Sequence, residues 1–406
     1  MGTQPFRRGL FAGFFLLSCQ PAEAAPSEPP PAELRFGMST ALSGVTCDLG
    51  VNGRDGVLAG FERINRAGGI HGHPLRLTVL DDGYEPHRTA PNMRRLTGDR
   101  YMLGIIGNMG TPTSIASIPI CLESRTLLFA PFTGAGVARK TPPDRYVINY
   151  RPSYAEETGA LIDALIDGAG LLPREIAFFT QRDGFGDAGY AGALAALFRH
   201  GLEQESSVAH VRYERNTLAV DGALAELLMA ETTPRAVVML GAYGPCAAFI
   251  QSAREQGLDS LFLSISVVGS ISLARSLGPE ANGVIVSQVV PHPIRSQLPV
   301  VGEFRSDLEA LDASLEPTFG SLEGYLAARV LALALERAEP PYTRESVVDA
   351  LESLGTFDLG LDGPLHLDRT SHQASHQIWP TVLEHGEFVP CDWSAVRSYF
   401  RESTAR

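Results

Sequence analysis

The sequence predicts an α/β protein of two lobes, each a mainly parallel sheet flanked by helices. Apolar runs alternate with helical patterns along most of the chain, and this alternation starts again after Arg151. Buried parallel strands are apolar throughout and are separated by helices, so the pattern is typical of sheets covered on both faces. At 406 residues, the chain has the length of two ordinary domains.

The first half contains five predicted strands. Between the first two, Val57, Phe61 and Ile64 recur at helical spacing and predict a helix that ends at Gly68–Gly69. Helical segments also separate the later strands. The predicted strands cover residues 34–38, 75–79, 103–106, 126–130 and 146–150.

The second half repeats this order and ends in helices and short strands. We expect strands at 176–180, 208–213, 236–240, 261–265 and 283–286, and helices at 155–167, 190–200, 300–311, 322–337 and 344–354. The tail, 365–389, has short strands and a turn at His385–Gly386. The predicted first lobe comprises 33–152 and 290–361, and the second 153–288 and 363–406, with crossings near 152, 289 and 362.

The N-terminus has the pattern of an export signal, predicted over residues 1–25. Arg7 and Arg8 precede a short apolar segment at 10–17, which is too short to span a bilayer. Two cleavage sites compete: a lipobox at 16–19, which would lipidate Cys19, and a small-residue site at 22–24. The Pro-rich residues 26–32 would form a tether, and the mature protein is expected in the periplasm.

Composition and motifs exclude several classes of function. The net charge of −13 and the lack of a basic stripe exclude a nucleic-acid partner. The sequence has no GxSxG, HExxH or GxxxxGK[ST] motif, so we expect neither an enzyme nor a bound metal or cofactor. Spacing leaves open whether the later cysteines form disulfides or stay free thiols; these are Cys47, Cys121, Cys246 and Cys391.

Polar residues follow two neighbouring strands of the first half. Residues 107–114 include Thr111 and Thr113 and open a helix, where hydroxyls and free N–H groups suit a carboxylate. Capping of that helix is an equally good interpretation. Residues 130–135, with Thr133, follow the next strand and form either a second part of the site or an ordinary turn.

An ordered series of motifs resembles the leucine/isoleucine/valine-binding protein family. The motifs are Thr-Ala-Leu-Ser-Gly at 40–44, Ile-Asn-Arg-Ala-Gly-Gly-Ile-His-Gly at 64–72, Asp-Asp at 81–82, Ile-Ile-Gly at 105–107, Pro-Phe-Thr-Gly at 131–134, Arg-Pro-Ser-Tyr at 151–154, Phe-Gly at 185–186 and Leu-Glu-Gly-Tyr at 322–325. The resemblance implies a type I periplasmic-binding-protein fold with three hinge crossings. It also implies a protein that closes on a small ligand and delivers it to the permease of an ABC importer. A sensor module of the same fold is the alternative.

The resemblance also implies which residues bind the ligand. Thr111 and Thr133, with Phe132 and Gly134, would hold its carboxylate. Tyr154 lies at the first crossing and would either donate to the ligand or pack in the hinge. The remaining family positions are occupied here by Leu49, Phe185, Tyr243 and Ser266.

Ser266 stands where the family has the acid that pairs with the ligand ammonium. A buried ammonium without a charged partner is costly, so the ligand is either an amino acid paired elsewhere or an organic or aromatic acid without an amine. Asp183 and Glu323 are the candidate substitutes, although each also fits a helix cap or a solvated charge. The sequence favours the acid without an amine.

Overall fold

The computed structural model describes residues 1–2, 33–279 and 281–403, and its first sheet is formed by the N-terminal half of the chain. Five parallel strands lie in the order β2-β1-β3-β4-β5. Their bounds are Leu34–Thr40 (β1), Leu75–Asp81 (β2), Met102–Ile106 (β3), Leu127–Phe129 (β4) and Val147–Ile148 (β5). The order reverses between β1 and β3, which is where open α/β sheets place a binding crevice.

The second sheet has seven strands in the order β14-β13-β10-β9-β8-β6-β7. The bounds are Ile176–Gln181 (β6), His210–Tyr213 (β7), Ala236–Leu240 (β8), Leu261–Ser264 (β9), Val284–Gln288 (β10), Trp379–Glu384 (β13) and Glu387–Pro390 (β14). Strands β6 to β10 are parallel, whereas β13 and β14 are antiparallel. His385 (φ 51°) and Gly386 (φ 78°) form the two-residue turn of this hairpin, as predicted.

Helices cover both faces of each sheet. They are Cys47–Arg66 (α1), Pro86–Gly98 (α2), Thr111–Glu123 (α3), Tyr154–Asp163 (α4), Gly184–Arg199 (α5), Asp221–Leu228 (α6), Tyr243–Glu255 (α7), Ser270–Leu277 (α8), Pro299–Leu311 (α9), Phe319–Arg337 (α10), Arg344–Glu352 (α11) and Ala395–Ser403 (α12). In β6, Phe178 packs in one apolar cluster and Phe179 in another, because successive side chains point to opposite faces. The predicted α/β fold is confirmed.

Helix α5 begins earlier than the predicted helix at 190–200. The Asp183 side chain accepts a hydrogen bond from the backbone N–H of Phe185 at 2.9 Å and caps the helix at Gly184. An aspartate in this position satisfies one of the free N–H groups of the first turn. The cap interpretation of Asp183 is therefore confirmed.

The predicted lobe boundaries near 152 and 289 fall between elements of the two sheets, and they remain predictions. Around the third predicted boundary, near 362, a short two-stranded sheet joins Gly355–Phe357 (β11) to Leu365–Leu367 (β12). Both leucines of β12 and Ala374 pack in the core beneath the first sheet. We therefore propose that the third boundary lies between Ala374 and β13 rather than near 362.

Within the described part of the chain, no helix is long and apolar enough to cross a membrane. The four cysteines of this part, Cys47, Cys121, Cys246 and Cys391, are free thiols, which decides between the two alternatives left open by the sequence. The predicted signal, tether and lipid-modified Cys19 lie outside the described residues.

Candidate functional site

The candidate site lies where the carboxyl ends of the two sheets face each other. Leu49 and Phe132, from the first sheet's side, share one buried apolar cluster with Phe185 and Val267 from the second. Parallel strands bring the loops at their carboxyl ends to one edge of each sheet. The cleft between the lobes is therefore lined by residues that are distant in sequence.

Three hydroxyl groups form the polar centre of this cleft. The Oγ1 atoms of Thr111 and Thr133 lie 2.7 Å apart, and the hydroxyl of Tyr154 lies 3.2 Å from the first and 3.3 Å from the second. All three side chains are buried. Thr111 begins α3 after β3, Thr133 follows the neighbouring β4, and Tyr154 begins α4. We call these three residues the hydroxyl cluster.

Local geometry directs the Thr111 side chain into the cleft. The N-cap of α3 is Gly110, at φ 98°, and no side chain caps this helix. A Cβ at Gly110 would lie 2.1 Å from the ring of Tyr84, so only glycine fits there. Thr113 instead donates to the backbone oxygens of Gly110, at 2.9 Å, and Met109. Capping by Thr111 or Thr113, one of the two interpretations of the sequence, is therefore wrong.

A small cavity of about 20 Å³ adjoins the hydroxyl cluster. This volume holds about one water molecule, so the lobes are closed and a ligand has to enter through an open form. Of the predicted binding residues, five line the cavity: Leu49, Thr111, Phe132, Tyr154 and Phe185. The rings of Tyr154 and Phe185, both beyond the first crossing, lie 5.4 Å apart, whereas the Tyr154 hydroxyl reaches across to Thr111 and Thr133.

The remaining predicted residues lie around this cavity without lining it. Thr133 completes the hydroxyl cluster, and Gly134 packs so closely that a Cβ there would lie 2.4 Å from the Tyr154 ring. Tyr243 lies half-buried beside Gly269, and burial raises the pKa of its phenol to about 12. Ser266 is buried next to the cleft in a charged network.

Ser266 contacts an acid, Glu157, on helix α4. The Glu157 carboxylate accepts hydrogen bonds from the Ser266 backbone N–H at 2.9 Å, its hydroxyl at 3.0 Å and the Ser287 hydroxyl at 2.8 Å. Arg151 lies 3.5 Å from the same carboxylate and also bonds to the Ser266 hydroxyl. Burial raises the pKa of Glu157, and Arg151 and the three hydrogen bonds oppose that shift. The oxygens of this carboxylate are therefore already bonded by groups of the protein itself.

Glu323 is also committed to Arg151. Its carboxylate lies 3.6 Å from the guanidinium, which also stacks on the Phe132 ring at 4.7 Å. Burial raises the pKa of Glu323 to about 7, against the attraction of Arg151. Neither Asp183, which caps α5, nor Glu323 is free to pair with a ligand ammonium. The solvated-charge interpretation of Glu323 is wrong because its side chain is buried.

Sequence reasoning missed three polar residues that line the cavity: Thr46, Tyr84 and Gln181. Tyr84 follows β2 and Gln181 ends β6, so the strand-end rule that identified Thr111 also applies to them. No sequence motif marks Thr46. Glu157 and Arg151 were missed as a pair because nothing in their spacing shows that both are buried.

Direct hydrogen bonds hold the two lobes together across the cleft. Glu85 accepts from Arg215 at 2.8 Å and from Asn216 at 2.7 Å. Gln181 donates to the Tyr84 hydroxyl at 3.1 Å. At the start of α1, next to Leu49, Asp48 accepts a hydrogen bond from the Ser272 hydroxyl at 2.8 Å. These contacts exist only while the cleft is closed.

Two α/β lobes with a closed cleft between their carboxyl edges define the class of two-lobed solute-binding proteins. A family model described as periplasmic binding protein matches residues 33–387, and the chain belongs to this family. Its members are solute-binding proteins rather than enzymes, and membership implies a periplasmic location.

Individual relatives agree with this assignment. A crystal structure of a possible leucine/isoleucine/valine-binding protein from Rhodopirellula baltica is 46% identical, with a TM-score of 0.87, over 92% of this chain and all of that one. An amino acid binding protein of Pseudomonas aeruginosa is 24% identical over 76% of this chain and 79% of its own. A Leu/Ile/Val-binding protein homolog of Brucella abortus is 24% identical over 80% of this chain and 84% of its own.

Proposed function

We propose that this protein captures a small carboxylate without an α-ammonium group and delivers it to the permease of an ABC importer. The observation that carries the proposal is the hydroxyl cluster, in which two buried hydroxyls at adjacent strand ends meet a third at the start of α4, with no unpaired acid beside them. Hydroxyls and the N-terminal N–H groups of α3 can bind an anion without a basic side chain.

The acids near the cleft explain why an ammonium is disfavoured. An ammonium that enters a closed cleft loses its hydration and needs a charged partner. Glu157 and Glu323 both face Arg151, and Asp183 caps α5. Recruiting any of these acids would break a contact that the protein already makes.

A thermal-shift screen with matched compounds tests the ligand class. We expect 4-methylpentanoate and 4-methyl-2-oxopentanoate to raise the melting temperature, and leucine at the same concentration to leave it unchanged. A ligand at 100 times its Kd adds about 2.7 kcal/mol to the free energy of unfolding. The same comparison with 3-phenylpropanoate and phenylalanine covers aromatic acids. Stabilisation by the amino acids alone would show that the ligand class is wrong.

The proposal also includes attachment to the membrane through Cys19. A lipid on this cysteine would tether the lobes near the permease through the Pro-rich residues 26–32. Labelling cells with a radioactive fatty acid should mark the wild-type protein and leave the Cys19→Ser variant unlabelled. Labelling of neither would instead favour cleavage at 22–24, and equal labelling of both would place the lipid on another residue.

A further inference from the structure

The cavity has polar side chains in a second region, separate from the hydroxyl cluster. Thr46 follows β1, Tyr84 follows β2, and both line the cavity together with Gln181 of the second lobe. The sheet order is β2-β1-β3-β4, so these residues lie beyond β1 and β2, whereas Thr111 and Thr133 lie beyond β3 and β4. The two polar regions therefore follow one another along the same sheet edge.

The Thr46 hydroxyl is buried without a hydrogen-bond partner in the protein. Thr46 is 2% exposed, and although it precedes α1 its side chain makes no capping bond. An unpaired buried hydroxyl is unfavourable and uncommon, so its place on the cavity wall needs an explanation. A polar group of the ligand would supply the missing partner.

The Tyr84 hydroxyl provides a second bonding position. It accepts a hydrogen bond from Gln181 at 3.1 Å, so its own proton remains available to the ligand. Gln181 is held in turn by the Tyr213 hydroxyl at 2.9 Å and by Asp183 at 2.7 Å. This chain of contacts fixes the position of the Tyr84 hydroxyl in the closed form.

Strand spacing sets the scale of the separation between the two regions. Neighbouring strands lie about 4.8 Å apart, so the ends of β1 and β2 lie about 5–10 Å from the end of β3, although the Tyr84 ring itself packs beside Gly110. Apolar side chains, among them Leu49, Met109 and Phe132, also line the cavity. None of the cavity-lining residues is charged, so a second polar end of the ligand has to be neutral.

We propose that the ligand carries an uncharged hydroxyl or amide at the end away from its carboxylate, and that Thr46 and Tyr84 bind this group. The inference rests on the proposed function, because the hydroxyl cluster has to hold the carboxylate for the other end to reach β1 and β2. It narrows the ligand class from small acids to acids with a second, neutral hydrogen-bonding group.

Calorimetric titration with matched acids tests this inference. The pairs are pentanoate with 5-hydroxypentanoate and benzoate with 4-hydroxybenzoate. We expect the hydroxylated member of at least one pair to bind about tenfold more tightly to the wild type. In Thr46→Val this preference should fall to about twofold or less. The variant is expected to fold, because Thr46 makes no capping bond.

Thr40→Val is the matched control. Thr40 ends β1 and also has a buried hydroxyl without a partner, but it does not line the cavity, so this variant should keep the preference. Equal affinities within both pairs, or an unchanged preference in Thr46→Val, would overturn the inference and leave the proposed function standing. Failure of all four acids to bind would contradict the proposed function and this inference with it.

Discussion

Thr111 is the residue on which the binding proposal depends most directly. Its hydroxyl contacts both other members of the hydroxyl cluster, so it is the point where the ends of β3 and β4 meet helix α4. Replacing threonine by valine keeps the shape of the side chain and removes its hydrogen-bonding capacity. The substitution therefore tests the chemistry of the cluster with little change in packing.

We expect Thr111→Val to weaken carboxylate binding about ten- to a hundredfold, because a hydrogen bond to a charged group contributes about 1.5–3 kcal/mol. Thr133→Val should behave similarly. Calorimetric titration with the acid that binds the wild type best is the measurement.

Thr113→Val is the control for this prediction. Thr113 lies in the same turn of α3 and is buried, but its hydroxyl is bonded to backbone oxygens and does not reach the cleft. The affinity of the Thr113→Val variant for the acid should stay within about threefold of the wild-type affinity. If Thr113→Val weakened binding as much as Thr111→Val, the hydroxyl cluster would not be the carboxylate site.

At the scale of elements, the strands along the chain are predictable from sequence, whereas their order within each sheet and the buried charges around Arg151 are not. Strands such as β6 and β8 are entirely buried and form apolar runs, so their existence follows from composition and turns. Helix α5 was predicted to start at Tyr190 because the segment from Gly184 to Gly189 has few large apolar residues to show a helical period.

The strand-end rule found part of the site for a physical reason. Thr111 and Thr133 follow adjacent strands, and adjacency brings their hydroxyls within 2.7 Å. Glu157 lies one turn inside α4, where an acid usually faces solvent. Only the packing of α4 against the hinge shows that this acid meets Arg151 and Ser266, so the sequence could not reveal it.

The contacts of Glu85 connect the β2–α2 loop to the segment after β7. We expect Glu85→Ala to weaken ligand binding about two- to fivefold, because it removes partly exposed hydrogen bonds that exist only in the closed form. Titration of the wild type and the variant with the same acid measures this change.

Glu214→Ala is the matched control, since Glu214 pairs with Arg182 at 2.8 Å within one lobe and both side chains are exposed. The affinity of the Glu214→Ala variant for the same acid should match that of the wild type. An unchanged affinity in Glu85→Ala would show that these contacts do not favour closure.

The buried carboxyl of Glu323 beside Arg151 predicts a pH dependence of folding stability. Burial raises the pKa of Glu323 from 4.5 to about 7, so the folded state holds this proton more tightly than the unfolded state does. The corresponding stability is fully present below pH 4.5 and is lost as the pH rises through 7. The groups that act on this carboxyl are Arg151, Glu157 and Arg139.

Denaturant unfolding at pH 5.5 and pH 8 measures the effect. We expect the wild type to lose about 1–3 kcal/mol of unfolding free energy over this range through Glu323, and Glu323→Gln to lose less. Glu255→Gln, a change at an exposed acid on α7, should leave the wild-type dependence intact. Identical pH dependence in the wild type and Glu323→Gln would contradict the assignment.

At the scale of the whole molecule, the two lobes enclose a space too small for any of the proposed ligands, so binding has to begin from an open form. Residues on both lobes line the cavity, and hydrogen bonds of Tyr154, Glu85, Gln181 and Asp48 join the lobes around it. Rigid lobes turning about a hinge would open the cleft without reshaping either sheet. Closure on a ligand has to displace some of the side chains that line the cavity, while the contacts of Glu85, which lie outside the cavity, can form again.

The most direct test is a crystal structure of the protein with the tightest-binding acid from the screen. We expect closed lobes, with a carboxylate oxygen within hydrogen-bond distance of the hydroxyls of Thr111, Thr133 and Tyr154. We also expect Glu157 and Glu323 to face Arg151 in the complex. A carboxylate bound elsewhere in the cleft, or an amino acid whose ammonium is paired with Glu157, would contradict the proposed function.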